Sequence, residues 1–268
     1  MSVRKAAARK RVQRRRTMGS GRSARPWISL NMAMTADGKT ATATRSISSF
    51  GSPHDRRHLY ELRAQADAVM TGAGTVRSEN ADLAAGANHF RALRRRNGLS
   101  PENLRVVVSR GAKLSPALRV FSEPGGALII LTTRQAHPRA VAAAERRGAA
   151  VARFGARDVD LPAAIRWLAD AWKVRRLHCE GGAELNQALF AADLVDEIHV
   201  TWCPWIFGGR TSPTLAEGVG FGSLAEARRF RLSSVRQRGK ELFLRFVRES
   251  RALARSAKGG VTRRSARR

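Results

Sequence analysis

Apolar and polar positions along this chain follow two alternating rhythms. Short runs rich in Val, Ile, Leu and Met, bounded by turn-forming residues, read as strands at 27–34, 67–71, 104–109, 127–132, 149–154, 175–180, 197–203, 228–236 and 241–248. Between them, apolar residues recur every three to four positions over 53–65, 137–147, 160–172 and 182–191, the period of a helix with one buried face. Ser52-Pro53 is a start signal, with Ser at the N-cap and Pro at the first helical position. Leu59, Leu62 and Ala66 follow at helical spacing, as do Leu161, Ile165, Leu168 and Trp172 in the third helix, and Gly148 stops the second. Strands alternating with helices predict an α/β fold with a mostly parallel central sheet flanked by helices. The last two runs, joined by Arg238-Gly239-Lys240, predict a C-terminal antiparallel hairpin at a sheet edge. No Pro/Gly/Ser-rich linker divides residues 26–248, so one domain is expected there.

Charge changes the picture at both ends. The 268 residues carry 50 Lys and Arg against 21 Asp and Glu, a formal net charge of +29. Ten of the basic residues fall within 1–25, which holds no acid, and seven within 249–268, where Glu249 is the one acid. Both ends have too little hydrophobicity to fold alone and read as disordered basic tails. They suit weak, salt-dependent, non-specific contact with nucleic acid, but they lack the interleaved aromatic residues that stack on bases. No apolar run approaches the roughly 20 residues of a membrane-spanning helix, and the first residues lack the apolar core of a secretory signal. Cys179 and Cys203 are too few for a disulfide framework, and each sits in an apolar run, so buried reduced thiols are expected. A cytoplasmic protein is the expectation.

Ligands of open α/β sheets bind at the carboxyl ends of strands, which directs attention to four places. Ala33-Met34-Thr35-Ala36-Asp37-Gly38-Lys39 follows the first strand; Asp-Gly alone is a turn signal, while Asp37 and Lys39 are candidates for charge beside a substrate. Thr71-Gly72-Ala73-Gly74-Thr75-Val76-Arg77 lets backbone N–H groups approach a ligand, although Arg77 stands where a Rossmann fingerprint has its third glycine. Cys179-Glu180-Gly181-Gly182-Ala183-Glu184 ends a strand in an acid and two glycines before a helix. That is either a tight turn with a solvated Glu or a seat for pyrophosphate at a helix N-terminus. Finally, a buried strand delivers Ser109-Arg110, where a guanidinium favours phosphate. Zinc-deaminase, Walker and Gly-x-Ser-x-Gly motifs are missing, and His54 and His58, four apart, lack the Glu and third ligand of a zinc-protease motif.

Taken in order, these segments, with Leu62-Arg63-Ala64-Gln65-Ala66-Asp67-Ala68 and the run from Leu194 to Pro204 and Gly208-Gly209, resemble the pyrimidine reductase family of riboflavin biosynthesis. That family has a dihydrofolate-reductase-like fold, and the resemblance spans residues 26–248. It implies an NADPH-dependent reduction of a phosphorylated ribosylaminopyrimidine to its ribityl form, in a homodimer. It places Ala33, Gly72, Gly74, Thr75, Glu79, Gly181, Gly182, Ala183 and Glu184 at the cofactor, and Ser109 and Arg110 at its 2′-phosphate. It places Arg63, Ser49, Leu83 and Glu180 at the substrate, and gives Glu180, Asp37 and Lys39 as catalytic candidates. The apolar strand Ile198–Trp202 is the expected dimer contact, unless it is simply core. Three departures follow the second of these turns. Glu79 replaces an Asp, Ala81 a Pro, and Gly86 an Arg that holds phosphate, a loss that Arg91, Arg94, Arg95 or Arg96 would have to make good. A tryptophan of the preceding loop is replaced around Ser48-Ser49-Phe50. Cofactor positions are thus better kept than substrate positions, which leaves reduction of a pterin or another small substrate as the alternative.

Overall fold

A computed structural model describes residues 25–45 and 50–249; the remainder of both basic tails, and Ser49 among the expected site residues, lie outside that range. Its strands are β1 (Trp27–Thr35), β2 (Ala68–Gly72), β3 (Leu104–Val108), β4 (Leu128–Thr132), β5 (Ala150–Arg153), β6 (Arg176–Cys179), β7 (Glu197–Cys203), β8 (Phe230–Arg238) and β9 (Glu241–Arg248). Its helices are α1 (Pro53–Arg63), α2 (Ala73–Glu79), α3 (Asn88–Arg96), α4 (Arg119–Ser122), α5 (Pro138–Arg146), α6 (Leu161–Trp172) and α7 (Ala183–Ala191). The strands form one sheet in the order β5-β4-β3-β2-β6-β1-β7-β9-β8. From β5 through β7 every neighbouring pair is parallel. β9 lies antiparallel to β7, and β8 closes the edge antiparallel to β9, as the hairpin reading expected.

Parallel strands need crossovers that lay helices on the sheet faces, so such strands are buried on both sides and apolar throughout. All five residues of β4 are buried. Successive residues point to opposite faces and feed two cores. Ile28, Leu30, Met70, Val106, Ile129 and Leu177 pack with α6 and α7. Val69, Val107 and Ile130 pack with Ala73 and Val76 of α2, Val120 of α4 and Val141 and Ala144 of α5. Helix boundaries follow their caps: Ser52 Oγ accepts from the N–H groups of His54 and Asp55, and Asp160 caps α6 through Ala163. Gly148 takes a positive φ of 87° just beyond α5.

α2, α3 and α4 were not expected from the apolar pattern. α2 starts inside a glycine-rich turn and buries only Ala73 and Val76. α3 hides its inner face because one of its two buried residues is an arginine. Arg94 is 1% exposed; its Nη1 donates to the carbonyls of Arg63 (2.5 Å) and Ala66 (2.7 Å), and its Nε to Ser100 O (2.8 Å). It therefore holds the chain that leaves α1, and with it Arg63.

The face of β1, β7 and β9 beneath α1 is polar. Glu197 accepts from Arg245 Nε (2.6 Å) and stands 2.7 Å from His199 Nε2, while His58 of α1 lies edge-on to His199 at 5.5 Å. Burial works against the Glu197 charge, but the His199 and Arg245 bonds outweigh it and hold the carboxyl below its usual range. Burial, aided by the His199 ring, pushes His58 down to about 4. This layer corrects the interface expectation: Ile198 through Thr201 are buried within the subunit and only Trp202, 40% exposed, reaches the surface. β7 is occupied by β1 and β9 on its two sides, which makes it core. Cys179 and Cys203 are buried free thiols, as expected.

The chain enters and leaves this body at one corner. Arg25 donates two 2.6 Å bonds to the Asp196 carboxylate, and Arg248 donates its backbone N–H to Asp196 O and its Nη1 to Asp193 O (2.9 Å each). Arg94→Met leaves three carbonyls without a charged donor and is expected to lower the unfolding free energy by about 3–5 kcal/mol, read from urea denaturation.

Candidate functional site

Two glycine turns meet at the carboxyl ends of the neighbouring parallel strands β2 and β6. Gly72 N donates to Gly181 O (2.8 Å), and Thr71 Oγ1 donates to the same oxygen (2.8 Å), so the strand pairing continues into the turns. The close approach demands glycine at two positions. A Cβ on Gly181, whose φ is +82°, would lie 2.9 Å from Met32 Sδ, and one on Gly182 would lie 3.0 Å from Thr75 Oγ1. α7 starts at Ala183 with Gly182 as its N-cap and no side chain capping it, so its first N–H groups face the opening. Both turns border a single cleft of ≈ 1090 Å³, with Gly72, Gly74 and Thr75 on one wall and Gly182, Ala183 and Glu184 on the other.

Arg63 of α1 and Glu180 after β6 form the floor. Arg63 Nε and Nη2 donate to the two oxygens of Glu180 (2.6 and 2.7 Å), and Nη1 donates to Ala84 O (2.7 Å). Burial opposes the Arg63 charge, yet Glu180 more than compensates and raises its pKa further. Behind the pair, His178 Nδ1 shares a 2.8 Å hydrogen bond with Ser29 Oγ, and burial pushes this imidazole down to about 3, so it is neutral. Arg63 and Glu180 are thus each other's principal partner. The expectation that Arg63 holds substrate phosphate while Glu180 moves a proton meets a guanidinium and a carboxylate already joined through two bonds.

Glu79, the last residue of α2, stands over this pair. Its side chain is exposed where it lines the cleft. Desolvation of the carboxyl, with the nearby Glu180 charge, lifts it to about 7 against the pull of Arg63. Sequence reasoning placed Glu79 only at the cofactor; its titration depends on neighbours 16 and 101 positions away in the chain, which no local pattern reveals.

Of the remaining candidates, Ala33, Leu83, Ser109 and Arg110 also line the cleft. Ser109 is buried, whereas Arg110 is exposed on the rim, its Nε 2.9 Å from Asp158 and Nη2 3.7 Å from Glu184. Asp37 and Lys39 lie elsewhere. The Asp37 carboxylate accepts from Thr35 Oγ1 (2.5 Å), Gly208 N (2.7 Å) and Phe207 N (3.3 Å), and Lys39 Nζ donates to Ser212 O (3.3 Å). They tie the turn after β1 to the loop after β7 rather than bordering the cleft. Gly86 has a physical reason to be glycine: its φ is +85° and a Cβ would come 2.5 Å from Tyr60 Cδ1. Nor do Arg91 and Arg94 replace an arginine there. Arg91 pairs with Glu102 and the Gly86 carbonyl, and Arg94 is bound up with backbone carbonyls. Besides Arg63 and Arg110, the cleft is bordered by Arg45, Arg77 and Lys113, which were unsuspected in that role from sequence.

The chain has known relatives. The sequence model of the RibD C-terminal domain matches residues 26–244, and the chain belongs to that family. It is 35% identical, over 83% of its own length and 98% of the relative's, to the 2,5-diamino-6-ribosylamino-4(3H)-pyrimidinone 5′-phosphate reductase of Methanothermobacter thermautotrophicus. Among solved structures, a pyrimidine reductase-like protein of Corynebacterium diphtheriae shares the fold at TM-score 0.72 and 19% identity, over 84% of this chain and 92% of that one. So does the Thermotoga maritima diaminohydroxyphosphoribosylaminopyrimidine deaminase/5-amino-6-(5-phosphoribosylamino)uracil reductase, at TM-score 0.66 and 22% identity, over 84% of this chain and 57% of that one. Among the described residues, no helix is long and apolar enough to cross a membrane.

Removing one partner of the floor pair strands the other. Glu180→Ala is expected to cost about 3–5 kcal/mol in urea denaturation, and adding Arg63→Met is expected to recover a large part of that loss.

Proposed function

We propose that this chain is an NADPH-dependent reductase of riboflavin biosynthesis, converting the ribosylamino group of a phosphorylated 5-amino-6-ribosylaminopyrimidine to the ribitylamino form. One observation carries the reading: two glycine turns share a cleft whose floor is charged and whose wall holds an acid titrating near neutrality. The names of the relatives add a reductase that acts on a phosphorylated pyrimidine.

The residues present fit a phosphorylated nicotinamide. The uncapped α7 N-terminus and the bare backbone of Gly181-Gly182 leave room and N–H groups for a pyrophosphate. Ser109 and Arg110, at the end of β3, would take the 2′-phosphate, with Asp158 and Glu184 holding the Arg110 guanidinium at the rim. Ala33, a small residue in the cleft at the end of β1, would leave space for the nicotinamide. When bound, the cofactor supplies a hydride.

Reduction adds that hydride to the sugar C1′, breaks the C1′–O4′ bond and requires one proton on O4′. Glu79 is the group able to hold it, because its carboxyl remains partly protonated at neutral pH. Glu180, fixed in both oxygens by Arg63, is a positioning group in this scheme, and its charge helps keep the Glu79 proton in place. Arg45, Arg77 and Lys113 give the cleft a positive rim that attracts both phosphorylated ligands. Pairing of two such chains, which the resemblance implies, would draw on Leu232 and Val235, about half exposed on the edge strand β8; sedimentation at micromolar concentration checks it.

The direct test follows NADPH absorbance with the ribosylaminopyrimidine phosphate and with dihydrofolate in parallel. Turnover of the first supports the proposal, turnover of dihydrofolate alone favours the pterin reading, and silence with both removes the assignment. Glu79 must be protonated to act, so kcat/KM should be level below its pKa and fall as pH rises through about 7. Glu79→Gln should abolish that limb and lower the rate about 10²–10⁴-fold; a retained limb assigns it to another group. Arg110→Ala should weaken NADPH by roughly tenfold and leave NADH unaffected, through loss of a charge-assisted phosphate bond. Equal weakening of both cofactors overturns that role.

A further inference from the structure

The polar face of the sheet continues past α1 to the edge strand β8. Register sets Arg231, Ser234, Arg236 and Arg238 against Val247, Arg245, Phe243 and Glu241 of β9, on the side that also carries Glu197, His199 and Thr201 of β7. Arg236 and Arg238 lie near enough to help lower the His58 pKa, as that side requires. Arg231, Arg236, Arg238 and the hairpin residue Lys240 are exposed, and among the described residues none of them forms an ion pair. Trp27 of β1 stands on the same face, two residues before Ser29, which lies opposite Glu197. It is 40% exposed, and its Nε1 donates to Glu197 Oε2 (3.2 Å) while Arg245 holds Oε1 (2.6 Å). The indole is thus fixed by its polar edge, with part of its ring left to solvent. None of these residues lines the cleft.

Charges on an edge strand discourage pairing with another sheet, but that duty asks nothing of a tryptophan three strands away. Nor does the patch suit a bilayer, which takes up apolar side chains beside the charges. Those of β8, Leu232 and Val235, point to the opposite side of the sheet. A row of anions interspersed with flat rings is what fits: guanidinium groups meet phosphates, and a fixed indole stacks on an unpaired base. Extended backbone from Arg231 to Arg238 spans roughly 20 Å, and β1 lies about 15 Å in from β8 at sheet spacing. Both spans suit a few nucleotides, the lower end of site sizes on such surfaces. We propose that this face, from the β8 arginines across Arg245 to Trp27, binds single-stranded nucleic acid, an activity separate from reduction in the cleft.

Fluorescence anisotropy of the full chain with two labelled probes tests this: a ten-nucleotide oligouridylate and an abasic ribose-phosphate chain of the same length. Residues 1–24 and 250–268 hold no aromatic side chain, so their basic residues meet both probes alike and only stacking separates the two. Oligouridylate is expected to bind at least about fivefold more tightly, the gain from one stacked base. Trp27→Ala should remove that preference and leave the abasic probe unchanged. A second variant, with Arg236→Ser and Arg238→Ser together at exposed positions, covers the case in which the first does not fold. It should weaken both probes and flatten the plot of log K against log salt by about 1.4, or about 0.7 per phosphate contact. Equal binding of the two probes, a preference retained in folded Trp27→Ala, or an unchanged salt slope overturns the proposal. So does displacement of oligouridylate by oligoglutamate or by phosphatidylserine vesicles as readily as by unlabelled oligouridylate, which would assign the face to an acidic peptide or a lipid surface.

Discussion

The contact between Gly72 and Gly181 is the constraint on which the site depends. Two parallel strands finish side by side, and their last contact joins Gly72, at the end of β2, to Gly181, just past the end of β6. Side chains on the Gly181-Gly182 turn would disturb it, because Met32 and Thr75 already occupy the space a Cβ needs. Once the turns are joined, the rest of the cleft has little choice of position. α2 leaves one turn and carries Glu79, α7 leaves the other and offers its uncapped end, and Glu180 sits between them, against Arg63.

The floor pair shows how structural and chemical demands are reconciled in a site of this kind. Two opposite charges removed from water contribute little net stability against an apolar substitute, while loss of one is costly. Here the pair also supplies an electric environment. Arg63 pulls the Glu79 proton off and Glu180 holds it on, and with partial desolvation added the carboxyl settles near 7. Arg94 anchors the carbonyls of Arg63 and Ala66 at the end of α1 and so fixes where that guanidinium sits.

Much of this could be read along the chain, and the failures have physical causes. Strand ends and glycine turns are local features, so Thr71–Thr75 and Glu180–Gly182 announced themselves. Asp37 and Lys39 did so too, but for a different reason: a carboxylate after a strand looks alike whether it faces a ligand or, as here, the amides of a distant loop. Whether Arg63 was free to meet a phosphate depended on a residue 117 positions later. α3 was hidden because its buried face includes Arg94, a residue that counts as polar in any hydrophobic pattern. Arg45, Arg77 and Lys113 were lost among fifty like charges, since only folding says which of them border a cavity.

The corner at Asp196 has a consequence for the whole molecule. Arg25 and Arg248 both bind there, at the amino end of the parallel strands, whereas every wall of the cleft is built at the carboxyl end. The described body therefore takes in the chain and lets it go at a single pole, the one facing away from the opening, and its two ends make no demand on the geometry of the cleft.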